Sequence, residues 1–73
     1  MMIRCPDGRL INMDLVMDVT AEFGYDNCDR SWWVKFSQVN GDTYLPCESE
    51  EQAREIVDLI FRCRASRLDL GNL

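Results

Sequence analysis

The sequence predicts an α+β fold: a small antiparallel sheet or partial barrel of about five short strands, with one C-terminal helix packed on one face. Three observations carry this reading. Asn40-Gly41 lies between two strand-like runs and supplies the positive φ that both central positions of a tight hairpin loop require. Val16 to Tyr25 alternates apolar and polar residues with period two, which marks a strand with one buried face. Ala53, Ile56, Val57, Ile60 and Cys63 recur at spacings of three and four, which places them on one face of a helix.

In chain order, Met2 to Cys5 is a short apolar-leaning start. Pro6-Asp7-Gly8 supplies turn geometry, and Arg9-Leu10-Ile11 reads as a second short strand, so an N-terminal hairpin is expected. Asn12-Met13-Asp14 competes locally for backbone hydrogen bonds and reads as a turn or a single helical turn. In the long strand that follows, Met17, Val19, Ala21, Phe23 and Tyr25 share the apolar face, and Met17 and Phe23 are expected in the core. Gly24 to Arg30 is a polar connector. Asp26, Asn27 and Asp29 offer oxygen ligands, but neither their spacing nor a bidentate Glu fits a calcium loop, so a solvated loop is expected.

With Asn40-Gly41 at the centre of the turn, Val39 faces Asp42, Phe36 faces Leu45 and Val34 faces Cys47. Trp32, Val34, Phe36, Leu45 and Cys47 then share the core face, while Trp33, Lys35, Ser37, Val39, Tyr44 and Pro46 share the other. Pro46 cannot donate to a ladder and suits an edge. Ser49 is an N-cap with Gln52 three residues on, and Glu50 and Glu51 suit the first turn of the helix. Glu50–Arg54 and Asp58–Arg62 are i,i+4 pairs. The helix is expected over 49–65, after a sheet over about 2–47. Residues 66–73 are read as a tail, in which Leu68 and Leu70 have the option of tucking back.

The chain has 73 residues, enough for a single domain. A domain of this size buries only about 60–65 % of its unfolded surface, so dimerisation is a standing expectation. Thirteen acidic against eight basic residues give a net charge of −5, which argues against non-specific nucleic-acid binding. Four cysteines, at 5, 28, 47 and 63, show no C-x-x-C spacing, and histidine is absent, so no metal or cofactor is expected. The start, Met1 to Gly8, lacks the apolar stretch of a secretory leader, and no run approaches a membrane span. A cytoplasmic location with reduced cysteines, and no membrane partner, is therefore expected.

Enzymatic chemistry finds little support. There is no histidine for acid–base work and no Gly-rich phosphate loop, and Asp14 with Asp18 is an ordinary acidic pair. Cys28 beside Arg30 is the one thiol candidate, and no base accompanies it. Trp32 and Trp33 are more informative. Adjacent strand residues point to opposite faces, so one helix cannot cover both. Trp33 would join Lys35, Val39, Tyr44 and Pro46 in an outward aromatic patch of the kind that marks interaction sites. The competing expectation is a sheet that curls, or an N-terminal hairpin that folds over Trp33.

The segment Gly41-Asp42-x-Tyr44-Leu45-Pro46-x-x-Ser49-x-Glu51-x-Ala53 resembles a pattern in short uncharacterised bacterial and phage proteins, and Arg9-Leu10-Ile11-Asn12-Met13-Asp14-x-Val16 is similar to their entry of a strand followed by N-x-D-x-V. The resemblance covers about two thirds of the chain. It implies a strand-rich fold with a C-terminal helix and carries no activity. The functional expectation is a protein-interaction module, a homodimer or an adaptor, that works through Trp33, Lys35, Val39, Tyr44 and Pro46. The alternatives are a phage or mobile-element inhibitor that sets its acidic surface against a basic site on a host protein, and a thiol- or metal-dependent activity through Cys28.

Overall fold

The computed structural model describes residues 1–26 and 29–72. Six strands and one helix follow in order: β1 (Met2–Arg4), β2 (Leu10–Asn12), β3 (Val16–Asp26), β4 (Asp29–Gln38), β5 (Gly41–Cys47), α1 (Glu50–Arg62) and β6 (Arg67–Asp69). The α+β class and the single helix are as expected. The strands form two three-stranded sheets, ordered β2-β1-β6 and β3-β4-β5, where one sheet of about five strands was expected.

The N-terminal hairpin forms as the sequence indicates. Met2, Ile3 and Arg4 pair with Asn12, Ile11 and Leu10. Its turn is held by Asp7, whose carboxylate accepts from the Arg9 backbone N–H at 3.1 Å and from Arg9 Nε at 2.7 Å. These bonds, the backbone one foremost, hold the Asp7 carboxyl below its usual range. Gly8 takes φ +91°, a conformation that residues with a Cβ rarely adopt. A 3-10 turn, Met13–Leu15, follows, and Asn12 caps it by accepting from the Asp14 backbone N–H at 3.0 Å.

The β4–β5 hairpin corrects the expected register. Gln38 pairs with Gly41, so Val39 and Asn40 occupy the loop. Gly41 is the first residue of the returning strand and uses its freedom at φ +134° there. Val34 now faces Leu45, Trp32 faces Cys47 and Phe36 faces Thr43. Each partner moves by two positions, and because side chains alternate with period two, a two-residue shift leaves every residue that remains in the ladder on its expected face. Val34 and Leu45, both buried, lie directly opposite each other, and the positive φ of Gly41 falls on the first strand position instead of inside the loop.

The core gathers Val19, Val34, Phe36 and Leu45 from the larger sheet, Ala53, Ile56 and Ile60 from α1, and Ile3, Ile11 and Leu70 from around the small sheet. Met17 and Phe23 do not join it. Met17 is 68 % exposed because the pairing slips between Val16 and Asp18, a bulge that leaves Met17 without a partner. Phe23 is 50 % exposed on the stretch of β3 nearest Asp26; its ring lies 5.3 Å from that of Trp32, with the Arg30 guanidinium 5.4 Å above it. The strands continue through much of the expected connector, to Asp26 and from Asp29. Asn27 and Cys28 lie outside the described residues.

Ser49 caps α1 by accepting from the Gln52 backbone N–H at 3.1 Å, and the Gln52 side chain in turn accepts from the Glu48 backbone N–H at 2.7 Å. The helix ends at Arg62, earlier than 65, with the Cys63 backbone extended and its N–H bonded to Leu59. The expected tail is instead a structural element. Leu68 pairs with Ile3 in a parallel ladder, and Leu70 is 0 % exposed. An early helix end frees the chain to turn back, which sets Leu68 beside β1 and buries Leu70; a helix continued to 65 would carry both away.

Candidate interaction face

The helix packs on one face of the β3-β4-β5 sheet. Trp32, Val34, Phe36 and Leu45 point to that side, and the Arg54 guanidinium lies 5.8 Å from the centre of the Trp32 ring. Alternation therefore turns Trp33, Lys35 and Ser37 of β4 to the other side, with Thr20 and Glu22 of β3 and Asp42, Tyr44 and Pro46 of β5.

On this outward face Trp33 sits between Glu22 and Pro46 across the two ladders. Its ring meets that of Tyr44 edge-on, with centroids 6.3 Å apart and planes at 85°. Such edge-to-face pairs are favoured by the ring quadrupole. Trp33 is half-buried and Tyr44 is 43 % exposed. Among the described residues neither the Trp33 indole N–H nor the Tyr44 hydroxyl donates to a protein group. Lys35 bridges two acids, Glu22 at 3.8 Å and Asp42 at 3.7 Å. The Glu22 and then the Asp42 charge raise its ammonium above the usual lysine value. The local charge runs acid, base, acid across the three strands, beside two aromatic rings.

Of the five residues expected here, Trp33, Lys35, Tyr44 and Pro46 are brought together. Val39 is placed in the β4–β5 loop, 85 % exposed, by the same register change. Glu22, Thr20 and Asp42 belong to the face and were missed by sequence reasoning. The signal for Glu22 lay in the register of the β3–β4 hairpin, which pairs Asp26 with Asp29 and so sets Glu22 opposite Trp33.

The face has hydrogen-bond donors, apolar area and paired charge, and the Thr20 hydroxyl donates to the Glu22 carboxylate at 3.3 Å. Among the described residues there is no group of three or more His, Cys, Asp or Glu side chains placed to hold a metal ion. Burial raises the thiols of Cys5 and Cys47 above the ordinary cysteine value, the reverse of what an attacking thiol needs. Elsewhere, a concavity of about 450 Å³ on the small sheet is lined by Met2, Arg4, Leu10 and Arg67, and its Asp69 carboxylate lies 4.0 Å from Arg4. No helix among the described residues is long and apolar enough to cross a membrane. No family model, curated protein or solved structure matches the chain.

Proposed function

We propose that this protein is a small protein-interaction module whose contact surface is the outward face of the β3-β4-β5 sheet, centred on Trp33 and Tyr44 with Lys35 and Pro46 beside them. The observation that carries the reading is the Trp33–Tyr44 pair on the side of the sheet opposite α1, with neither polar tip bonded to a protein group among the described residues. Aromatic residues with one apolar body and one hydrogen-bonding end are what protein interfaces concentrate at their centres. A partner that covers the pair removes apolar area from water and gains two donors. The Lys35 triad at its side fixes orientation more than it adds affinity.

Two kinds of occupant suit the surface, a different protein or a second copy of the chain. Trp33→Ala tests the surface itself. The variant should keep its circular-dichroism spectrum and lose partner capture, because Trp33 stands outside the core. If Trp33→Ala unfolds, the indole is a core residue and the proposal fails. Light scattering on a sizing column, run on both proteins, tells the occupants apart: a dimer that Trp33→Ala converts to a folded monomer assigns the face to a second copy.

A further inference from the structure

The two edges of the β3-β4-β5 sheet are unequal. In a two-residue hairpin the residues that flank the loop form a hydrogen-bonded pair, and pairs then alternate along the ladder. Gln38 and Gly41 are that flanking pair, so Val34–Leu45 and Phe36–Thr43 exchange hydrogen bonds. Asp42, Tyr44 and Pro46 accordingly turn their backbone groups away from β4. That edge is blocked twice: Pro46 has no N–H, and the Tyr44 carbonyl accepts from Arg9 Nη2 at 2.8 Å.

The same alternation carried across β4 pairs Lys35 with Thr20 and Trp33 with Glu22 through hydrogen bonds. Val19, Ala21 and Phe23 of β3 therefore present their N–H and C=O groups to the opposite edge. Among the described residues, no hydrogen bond made outside the ladders reaches these three. β3 runs for 11 residues and has no proline. An edge of this kind is a template for another strand.

We infer that β3 pairs antiparallel with β3 of a second copy, about a two-fold axis at Ala21, to give a continuous six-stranded sheet. Charge selects this register. It sets Val19 opposite the partner's Phe23, Thr20 opposite the partner's Glu22, and Asp18 opposite the partner's Gly24, with no like charges facing. The neighbouring registers that also match outward backbone groups are centred on Thr20 and Glu22. The first sets Asp18 against Glu22, and the second sets Glu22 against itself; like charges directly opposite are unfavourable. Centres further along engage fewer pairs. The axis stands perpendicular to the sheet, so both Trp33–Tyr44 faces lie on one side of the dimer and stay open. The inference is independent of what that face binds.

The test is sedimentation equilibrium on wild type, Gly24→Lys, Gly24→Asp, Ala21→Pro and Trp33→Ala. A Cβ at Gly24 meets nothing within 4 Å, so both Gly24 variants should fold. Gly24→Lys places a cation opposite the partner's Asp18 twice per dimer and should tighten the dimer about threefold to tenfold, while Gly24→Asp should loosen it by a similar factor; both shifts should shrink in high salt. Ala21→Pro removes one outward N–H, which an edge strand tolerates, and should give a folded monomer. If it does not fold, the opposite shifts at Gly24 still decide. A wild type that stays monomeric to about 100 µM overturns the inference. So does a dimer that neither Gly24 variant shifts, or one that Trp33→Ala alone dissolves, and that last result would assign self-association to the aromatic face.

Discussion

Leu70 shows how much a single side chain carries here. It is fully buried in the shared core although it lies three residues from the last position of the sequence. Leu70→Ala should cost about 2–5 kcal/mol, the usual range for a buried leucine. A chain of this length has roughly 4–11 kcal/mol in all. The urea midpoint of that variant should therefore fall by a large fraction, whereas an ordinary tail residue would leave it unmoved. Cys5 gives a second residue-level expectation. Burial raises its thiol above the ordinary value near 9, partly offset by the Arg9 charge. The folded state thus resists forming the thiolate that the unfolded state forms readily. This contribution is fully present below the unfolded value and is lost as pH rises through the folded one. Wild type should lose stability above about pH 9, and Cys5→Ala should lose less over the same range. At neutral pH, iodoacetamide should modify native Cys5 far more slowly than the denatured chain, as mass spectrometry of digests would show.

At the scale of elements, the helix start is the part that local chemistry specifies best. Ser49→Ala removes the acceptor for the Gln52 N–H and should cost about 1 kcal/mol, read from the thermal midpoint. The exposed Glu50–Arg54 and Asp58–Arg62 pairs should matter less, with Arg62→Ala changing stability by about 0.5 kcal/mol or under. These features were legible because caps, i,i+4 pairs and the N-terminal turn depend on residues a few positions apart. So was the division of β4 and β5 into two faces, since alternation survives an error of two residues in pairing. The register itself was not legible. Asn-Gly is a strong local preference for the centre of the loop, but Gly41 uses its positive φ at the first strand position, and no local rule separates the two placements. β6 was hidden for a different reason: Arg67-Leu68-Asp69 has one apolar residue and no pattern of its own, and it is a strand only because β1 is there to receive it. Met17 deceived the period-two count because the bulge beside it breaks the alternation that placed it inside.

For the whole molecule, the division of labour between surfaces follows from which groups are already satisfied. One side of the larger sheet is taken by the core, one edge is closed by Pro46 and Arg9, and what remains is the aromatic side and the β3 edge. Trp33→Ala should therefore leave the unfolding free energy, read from urea titration, within about 1 kcal/mol of wild type, because Trp33 stands outside the core. A chain stopped after Arg64 should behave in the opposite way, retaining helical ellipticity while losing cooperative unfolding, since it lacks Leu68, Leu70 and the third strand of the small sheet. The candidate face could be drawn from the sequence because alternation separates Trp32 from Trp33. Its acidic border and the unequal edges could not, since both emerge only when three strands are set side by side.

The parallel ladder between β1 and β6 also bears on how the protein comes into being. Met2 donates to the Ser66 carbonyl at 2.9 Å, and Ile3 pairs with Leu68, so β1 has to wait for a strand that is made only after β2 through α1. Translation adds about 5–20 residues per second, so for several seconds the β1–β2 hairpin exists without its third strand, its Ile3 and Ile11 unable to find Leu70. Contacts between positions so distant in the chain are slow to close and are formed late. The small sheet can thus close only once the segment from β2 through α1 has been made, and it shuts as a clasp beside the meander and helix.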